Sequence, residues 1–239
     1  MLVTDLDKVS KQILLGSVLG DGCLSIPKLG RNAFFKEEHA VKQEPYLRWK
    51  VMYLKKHFKI NVRSFSRYNR NFISATTNCS PILTNFYKSI YKNKIKAVDK
   101  KILDEIDEFG LAVWYCDDGN YRLRFGSCVI STCSFTLEEN REIKKWLKNK
   151  WDLDCVIRTL KRNNHKYFYL EFDVNNANKF LLLIKNFILS MPDCVWYKVG
   201  HLYDGNISLI KFHKKMDNER CKIYYNKMKS IRLKTCDSK

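Results

Sequence analysis

The sequence predicts an α+β fold built from two pseudo-symmetric halves, each running α-β-β-α-β-β-α. Three observations predict it. An apolar run ending in Asp-Gly occurs twice, at 13–22 and 110–119, with Asp21 and Asp118 97 positions apart. The same order of strand-like and helix-like segments follows each run. The 239 residues are 45% hydrophobic with 9 Gly and 4 Pro, enough to bury a core and too apolar for a disordered chain.

The run 13–22 has helical length and stops at a Gly suited to a left-handed C′ position. Residues 23–39 read as two short strands around a turn at 27–31. An amphipathic helix over 44–58, strands at 58–63 and 71–77, and a helix over 81–91 complete the first half. The second half repeats this order. Its apolar run is 110–119, its strand pair 121–135 and its amphipathic helix 137–151. A strand at 151–158, a period-two strand at 166–174 and a helix over 177–190 follow. The expected divisions are a first repeat at 1–98, a polar linker at 99–109, a second repeat at 110–205 and a basic tail at 206–239.

Lys and Arg number 44 against 25 Asp and Glu, a formal charge of +19. That excess costs self-repulsion and points to a polyanionic partner. Membrane spans are excluded, because no apolar stretch approaches the roughly 20 residues a span needs, and no apolar h-region opens the chain. From 45 to 98 there are twelve Lys and Arg and no acid. Arg63, Arg67 and Arg70 alternate so as to share a strand face. Arg122 and Arg124 follow the second motif, and Arg158, Lys161 and Arg162 lie in the later hairpin. Arginine on a strand can fork onto guanine in a major groove, so these are candidate DNA-binding residues. The nine cysteines include no C-x-x-C pair and read as free thiols in a reducing, intracellular compartment. The five histidines are scattered and read as core or surface residues. Heavy use of Lys, Asn and Ile fits an AT-rich genome: a mitochondrion or plastid, a phage, or a low-GC bacterium.

An Asp at the C-terminal end of an apolar helix is disfavoured by roughly 0.3–1 kcal/mol, because that end carries partial negative charge. Its occurrence at the same place in two repeats asks for an explanation. Packed as partners, the two helices would approach closely through Gly16, Ser17, Gly20, Ala112 and Cys116, and Asp21 and Asp118 would meet. Two carboxylates at short range call for a divalent cation, Mg²⁺ by the hardness of the ligands. Such a site within a basic surface suits phosphodiester hydrolysis.

The segments LLGSVLGDG (14–22) and LAVWYCDDG (111–119) resemble the two signature helices of single-chain LAGLIDADG homing endonucleases. The resemblance spans roughly 11–200, and the stretches 134–139 and 196–198 are similar to intron-encoded members. It implies a β-saddle from each repeat on double-stranded DNA, with Asp21 and Asp118 as catalytic, metal-binding acids. The backbone carbonyls of Gly20 and Asp117 are implied as further ligands. A basic residue is implied near each scissile phosphate: Lys198 in the second half, and Lys96, with Lys94 as rival, in the first. The implied activity is a site-specific, Mg²⁺-dependent double-strand break with staggered ends at a long target, supporting intron homing. Two motifs in one chain imply a monomer. Leu19 and Cys116 depart from the usual acid at the sixth motif position, and Val113 stands where Gly is usual. The halves therefore differ, and an asymmetric target is expected. The alternative is an intron RNA maturase on the same fold, against which the two final acids weigh. HNH, GIY-YIG and P-loop signatures are absent, and no intein splice-junction segment flanks the repeats, which favours a free-standing protein.

Overall fold

The computed structural model describes residues 6–122 and 124–200. The expected basic tail, 206–239, lies outside them, as do the last five residues assigned to the second repeat. The first half comprises α1 (Lys8–Leu19), β1 (Cys23–Ser25), β2 (Phe34–Ala40), α2 (Glu44–Leu54), β3 (Ile60–Arg67), β4 (Arg70–Thr77) and α3 (Pro81–Ile90). A short hairpin, β5 (Tyr91–Lys92) and β6 (Ile95–Lys96), and α4 (Lys100–Asp104) lead into the second half. There α5 (Glu108–Asp118), β7 (Gly119–Arg122), β8 (Ser127–Ser131), α6 (Leu137–Trp151), β9 (Val156–Arg162), β10 (His165–Phe172) and α7 (Val174–Ser190) repeat the order. A 3₁₀ helix, Asp193–Val199, follows. The sheets have matching strand orders, β1-β2-β4-β3 and β7-β8-β10-β9, with antiparallel neighbours.

Local chemistry explains these boundaries. The side chains of Asp7, Ser80, Asp107 and Asp173 accept backbone N–H bonds at the starts of α1, α3, α5 and α7. Thr136 and Glu139 form a reciprocal capping box on α6. The two long hairpins turn at Tyr68–Asn69 and Asn163–Asn164, all four at positive φ, as a two-residue primed turn requires.

Strand alternation sorts side chains between a helix-covered face and an open one, and directly paired residues share a face. Val62, Ile73 and Ala75 pack with Leu47 of α2. Arg63, Phe65 and Arg67 therefore lie on the opposite face, with their partners Ser74, Phe72 and Arg70. In the second sheet Leu170 is fully buried against the helices. Tyr169 and its partner Arg158 thus face away from the helices, as do Arg162 and His165. Lys161 pairs with Lys166 on the other face. Lys161, a candidate DNA-binding residue like Arg158, stands three positions along the strand from it and so on the opposite, helix-side face.

The halves meet through α1 and α5. A Cβ on Gly16 would stand 2.5 Å from the Gly110 carbonyl oxygen and 2.8 Å from Val113 Cβ. One on Gly20 would stand 2.5 Å from Asp117 Cβ. Glycine is needed on α1 because α5 crosses there in contact, and Val113 fills the space Gly16 leaves. Cys116, expected in this seam, instead turns its sulfur to Met191, 3.8 Å away. The left-handed C′ glycine is also corrected, since neither Gly22 nor Gly119 has positive φ. Close approach is the constraint at both: a Cβ would meet Phe35 at 2.5 Å and Tyr115 at 2.0 Å respectively.

The segment read as a polar linker contributes to the core, with Ile102, Leu103 and Ile106 buried. Lys11 pairs with Glu105 and the Gln12 amide donates to the Glu105 carbonyl, tying the segment to α1. Among the described residues, seven cysteines are free and no helix is long and apolar enough to cross a membrane.

The Gly16→Ala substitution tests the seam. Alanine gains about 1 kcal/mol of helix propensity, but its methyl must push the two backbones apart, an overpacking cost of about 1–3 kcal/mol. Urea unfolding should show a lower midpoint with unchanged slope. A raised midpoint would contradict the contact.

Candidate functional site between the motif helices

The two motif carboxylates emerge at the same end of the helix pair, in unlike settings. Asp118 is the last residue of α5. Asp21 lies two residues beyond α1, and its side chain is 40% exposed. The expectation that both close their helices therefore holds only for Asp118. Burial, then the charges of Asp21 and Asp117, raise the Asp118 pKa to about 7. A carboxylate so crowded is short of positive charge.

Two lysines, the half-buried Lys96 and the buried Lys198, reach the carbonyls beside these acids. Lys96 Nζ donates to Gly20 O at 3.1 Å and Gly22 O at 3.3 Å. Lys198 Nζ donates to Cys116 O at 2.5 Å and Asp117 O at 3.1 Å. The two are related by the pseudo-symmetry, each holding the carbonyl that precedes a motif Asp. Both cap the negative end of a motif helix, where orphan carbonyls need donors. Burial lowers both ammonium pKa values, opposed mainly by Asp118 at Lys96 and by Cys116 and Asp117 at Lys198. The Lys94 alternative is not brought to these carbonyls; it stands at positive φ in the β5–β6 turn.

Sequence reasoning missed a third feature. Lys50 of α2 is buried between two carboxylates, 2.5 Å from Glu37 Oε1 and 2.7 Å from Asp117 Oδ1. His39 Nε2 lies 2.6 Å from the same Glu37 oxygen, and its Nδ1 faces Asp21 at 3.6 Å. Burial opposes the Glu37 charge, but Lys50 and His39 outweigh it and lower its pKa to about 2. Burial also opposes the charge of Lys50, which Asp117 and Glu37 outweigh, so its pKa rises. At Asp117 burial outweighs the attraction of Lys50 and raises the pKa to about 6. The available signal was alternation: Phe35, Glu37 and His39 share the inward face of β2.

The arginines divide between free and paired. Arg63 and Arg70 lie on the open face with no carboxylate partner among the described residues. Arg67 lies over the Phe65 and Phe72 rings and 3.6 Å from Glu38. Arg122 and Arg158 each hold one oxygen of Glu171, at 2.7 Å. Arg124 is exposed in the β7–β8 turn.

The donor set fits a hard divalent cation. Oxygen and imidazole atoms of Asp21, His39 and Asp117 lie within 4.8 Å of one another, and Asp118 adds its charge to that of Asp21, only partly offset by Lys96 and Lys198. Lys50 donates to both Asp117 carboxylate oxygens and Lys198 to its carbonyl, so either atom would share its lone pairs with a bound cation.

A model of the LAGLIDADG DNA endonuclease family matches residues 11–180. The DNA endonuclease I-ChuI of Chlamydomonas applanata is 26% identical over 220 residues, 84% of this chain and 97% of that protein. The RecA protein of Mycobacterium shimoidei is 29% identical over 161 residues, 62% of this chain and 37% of that protein. This chain spans between about a fifth and a half of the length of the RecA proteins it matches. Among solved structures, the homing endonuclease I-WcaI bound to its DNA recognition sequence shares the fold. The TM-score is 0.70 at 21% identity, over 82% of this chain and 88% of that one.

The raised Asp118 pKa sets a pH dependence. The folded chain holds this proton from its ordinary value of 3.8 up to about 7, whereas the unfolded chain releases it near 3.8. The contribution of Asp118 to stability is thus present at low pH and lost as pH rises through 7. In metal-free melts, Asp118→Asn should gain on the wild type as pH increases from 4 to about 7. A pH-independent difference would contradict this.

Proposed function

The chain belongs to the LAGLIDADG DNA endonuclease family, and we propose that it is a site-specific endonuclease making a staggered double-strand break in a long, asymmetric DNA target. Intron homing is the process such a break would serve. One observation carries the reading: two motif carboxylates stand together at the end of the helix pair, each beside a lysine that caps the neighbouring carbonyl.

Two sheets of like topology, one on either side of that point, offer open faces to a duplex. Arg63, Arg67 and Arg70 would meet bases and phosphates on one side; Arg122, Arg124, Arg158 and Arg162 would do so on the other. Arg122 and Arg158 would have to leave Glu171 or share it, so the second half reads DNA through a pre-set carboxylate. Asp21 and Asp118, with the carbonyls of Gly20 and Asp117, would hold divalent cations, Mg²⁺ being the natural choice for oxygen ligands. Bound there, such cations would activate water and offset charge on the leaving oxygen. Lys96 and Lys198 would stabilise charge that develops on the scissile phosphates. Each already sits at a motif acid, so little reorganisation is needed. With both carboxylates in one chain, a monomer would suffice for both cuts. The halves differ around Asp21 and Asp118, which favours an asymmetric target. The relatives reported above lend no support to the intron-RNA reading.

The test is cleavage of a plasmid library carrying randomised sites, with and without Mg²⁺. Discrete double-strand cuts are expected from the wild type, and single-strand nicks or no product from Asp21→Asn and Asp118→Asn. A wild type that cuts no library member would overturn the reading. On a recovered target, Arg63→Ala should weaken binding about tenfold or more. Lys161→Ala, on the helix-side face, should change it less than about twofold. Equal losses would remove the face assignment.

A further inference from the structure

The charged group behind Asp21 has no counterpart behind Asp118. Leu24 and Tyr121 each stand three residues past a motif Asp, and they pair with Phe35 and Cys128. Those pairs align the two sheets, so the places of Glu37 and His39 in β2 are taken by Ile130 and Thr132 in the second half. In the helices above, the buried series Leu47, Lys50 and Leu54 of α2 matches Asn140, Ile143 and Leu147 of α6. Lys50 thus corresponds to Ile143, and motif residue Asp117 corresponds to Gly20. Ile130 and Ile143 are both fully buried. Thr132, in the place of His39, turns its hydroxyl to Asn140 Oδ1 at 2.5 Å and to the Phe168 carbonyl at 3.2 Å.

Stability alone does not explain the charged version. Desolvating an ion pair cancels most of its attraction, and apolar residues of similar volume do as well or better. The second half is the internal demonstration, with two isoleucines in the same places. The charged half also leaves Glu37 Oε2 buried without a hydrogen-bond partner among the described residues, an uncompensated desolvation cost. What the network does achieve is geometric. It runs from Asp117 through Lys50 and Glu37 to His39, whose Nδ1 lies 3.6 Å from Asp21 Oδ2. It closes on itself, because Asp117 Cβ packs where a Gly20 side chain would be, one residue before Asp21. The Asp21 segment is therefore held on one side by the Gly20–Asp117 contact. His39, 3% exposed and edge-on to Tyr46, faces it on the other.

We propose that His39, fixed by Glu37 and Lys50, is a positioning residue for the Asp21 carboxylate, and that the two strand cuts consequently differ in their dependence on it. The inference rests on the cleavage reading above and deepens it. The cut that needs Asp21 depends on the His39–Glu37–Lys50 relay. The cut that needs Asp118 does not, because Thr132 offers nothing to that carboxylate.

The experiment is strand-resolved nicking of a supercoiled plasmid bearing a target recovered from the randomised library. The variants are His39→Gln and His39→Asn. A Gln amide stands near the imidazole Nε2 position and keeps the link to Glu37. An Asn amide stands near Nδ1 and keeps the approach to Asp21. His39→Gln should slow the strand lost in Asp21→Asn about tenfold or more and leave the other strand within about twofold, so nicked circles accumulate. His39→Asn should recover most of that rate. Without DNA, the rise in melting temperature on adding Mg²⁺ should shrink in His39→Gln and persist in His39→Asn. Equal slowing of both strands, no slowing, or no difference between Gln and Asn would overturn the inference and leave the endonuclease reading intact. A triple variant, Glu37→Ile, Lys50→Ile and Asp117→Gly, imports the second half's residues and guards against misfolding. It should melt no lower than the wild type and still lose one strand preferentially; wild-type rates on both strands would overturn the proposal. A wild type that cuts neither strand overturns the cleavage reading, and this inference with it.

Discussion

Two helices can lie in backbone contact at Gly16 and Gly20 only because no Cβ stands between them. The rest of the structure depends on that constraint. A side chain at either position would push α5 outward and carry the second sheet with it. With the helices in contact, the ends of α1 and α5 coincide and the two motif acids reach one place. Each sheet then follows its own helix, so the arrangement of the open faces is set by the same seam. The 100–106 segment, which buries Ile102, Leu103 and Ile106 and is tied to α1 through Gln12 and Lys11, reinforces the contact from the far end.

Bringing two carboxylates to two negative helix ends is electrostatically costly, and the molecule answers in several ways. Lys96 and Lys198 supply donors to the carbonyls at the helix ends. Asp21 keeps partial contact with solvent, while Asp118 is held neutral to higher pH by burial and by its acidic neighbours. Asp117 faces away into Lys50, which removes its carboxylate from direct competition. What remains uncompensated is a small oxygen-rich point between basic surfaces. A hard cation and a phosphodiester together would complete it.

Much of this was legible in the sequence. The repeat of an apolar run with Asp-Gly gave the pseudo-symmetry, and Gly16 and Gly20 announced the close seam. Lys96 and Lys198, singled out by the family resemblance, stand at the carbonyls that precede the two motif acids. The misses have physical causes. Cys116 is small enough for the seam, but helix phase turns it to Met191, and a single-residue reading cannot see that phase. Lys161 looked equivalent to Arg158 because both are basic, yet strand parity separates them. Glu37, His39 and Lys50 were invisible as a group, because their contact depends on α2 crossing over β2. Alternation alone said only that two polar residues point inward. The acidic look of 99–109 concealed three apolar side chains spaced to face the core.

The central claim is that the end of the α1–α5 pair is the place where DNA meets a divalent cation. Anomalous diffraction from crystals of the chain with Mn²⁺ and a duplex it cuts tests this most directly. The account predicts Mn²⁺ peaks against the carboxylates of Asp21 and Asp118, with Lys96 and Lys198 beside the scissile phosphates. Mn²⁺ bound elsewhere on the chain, with both carboxylates free of metal in the DNA complex, would contradict it.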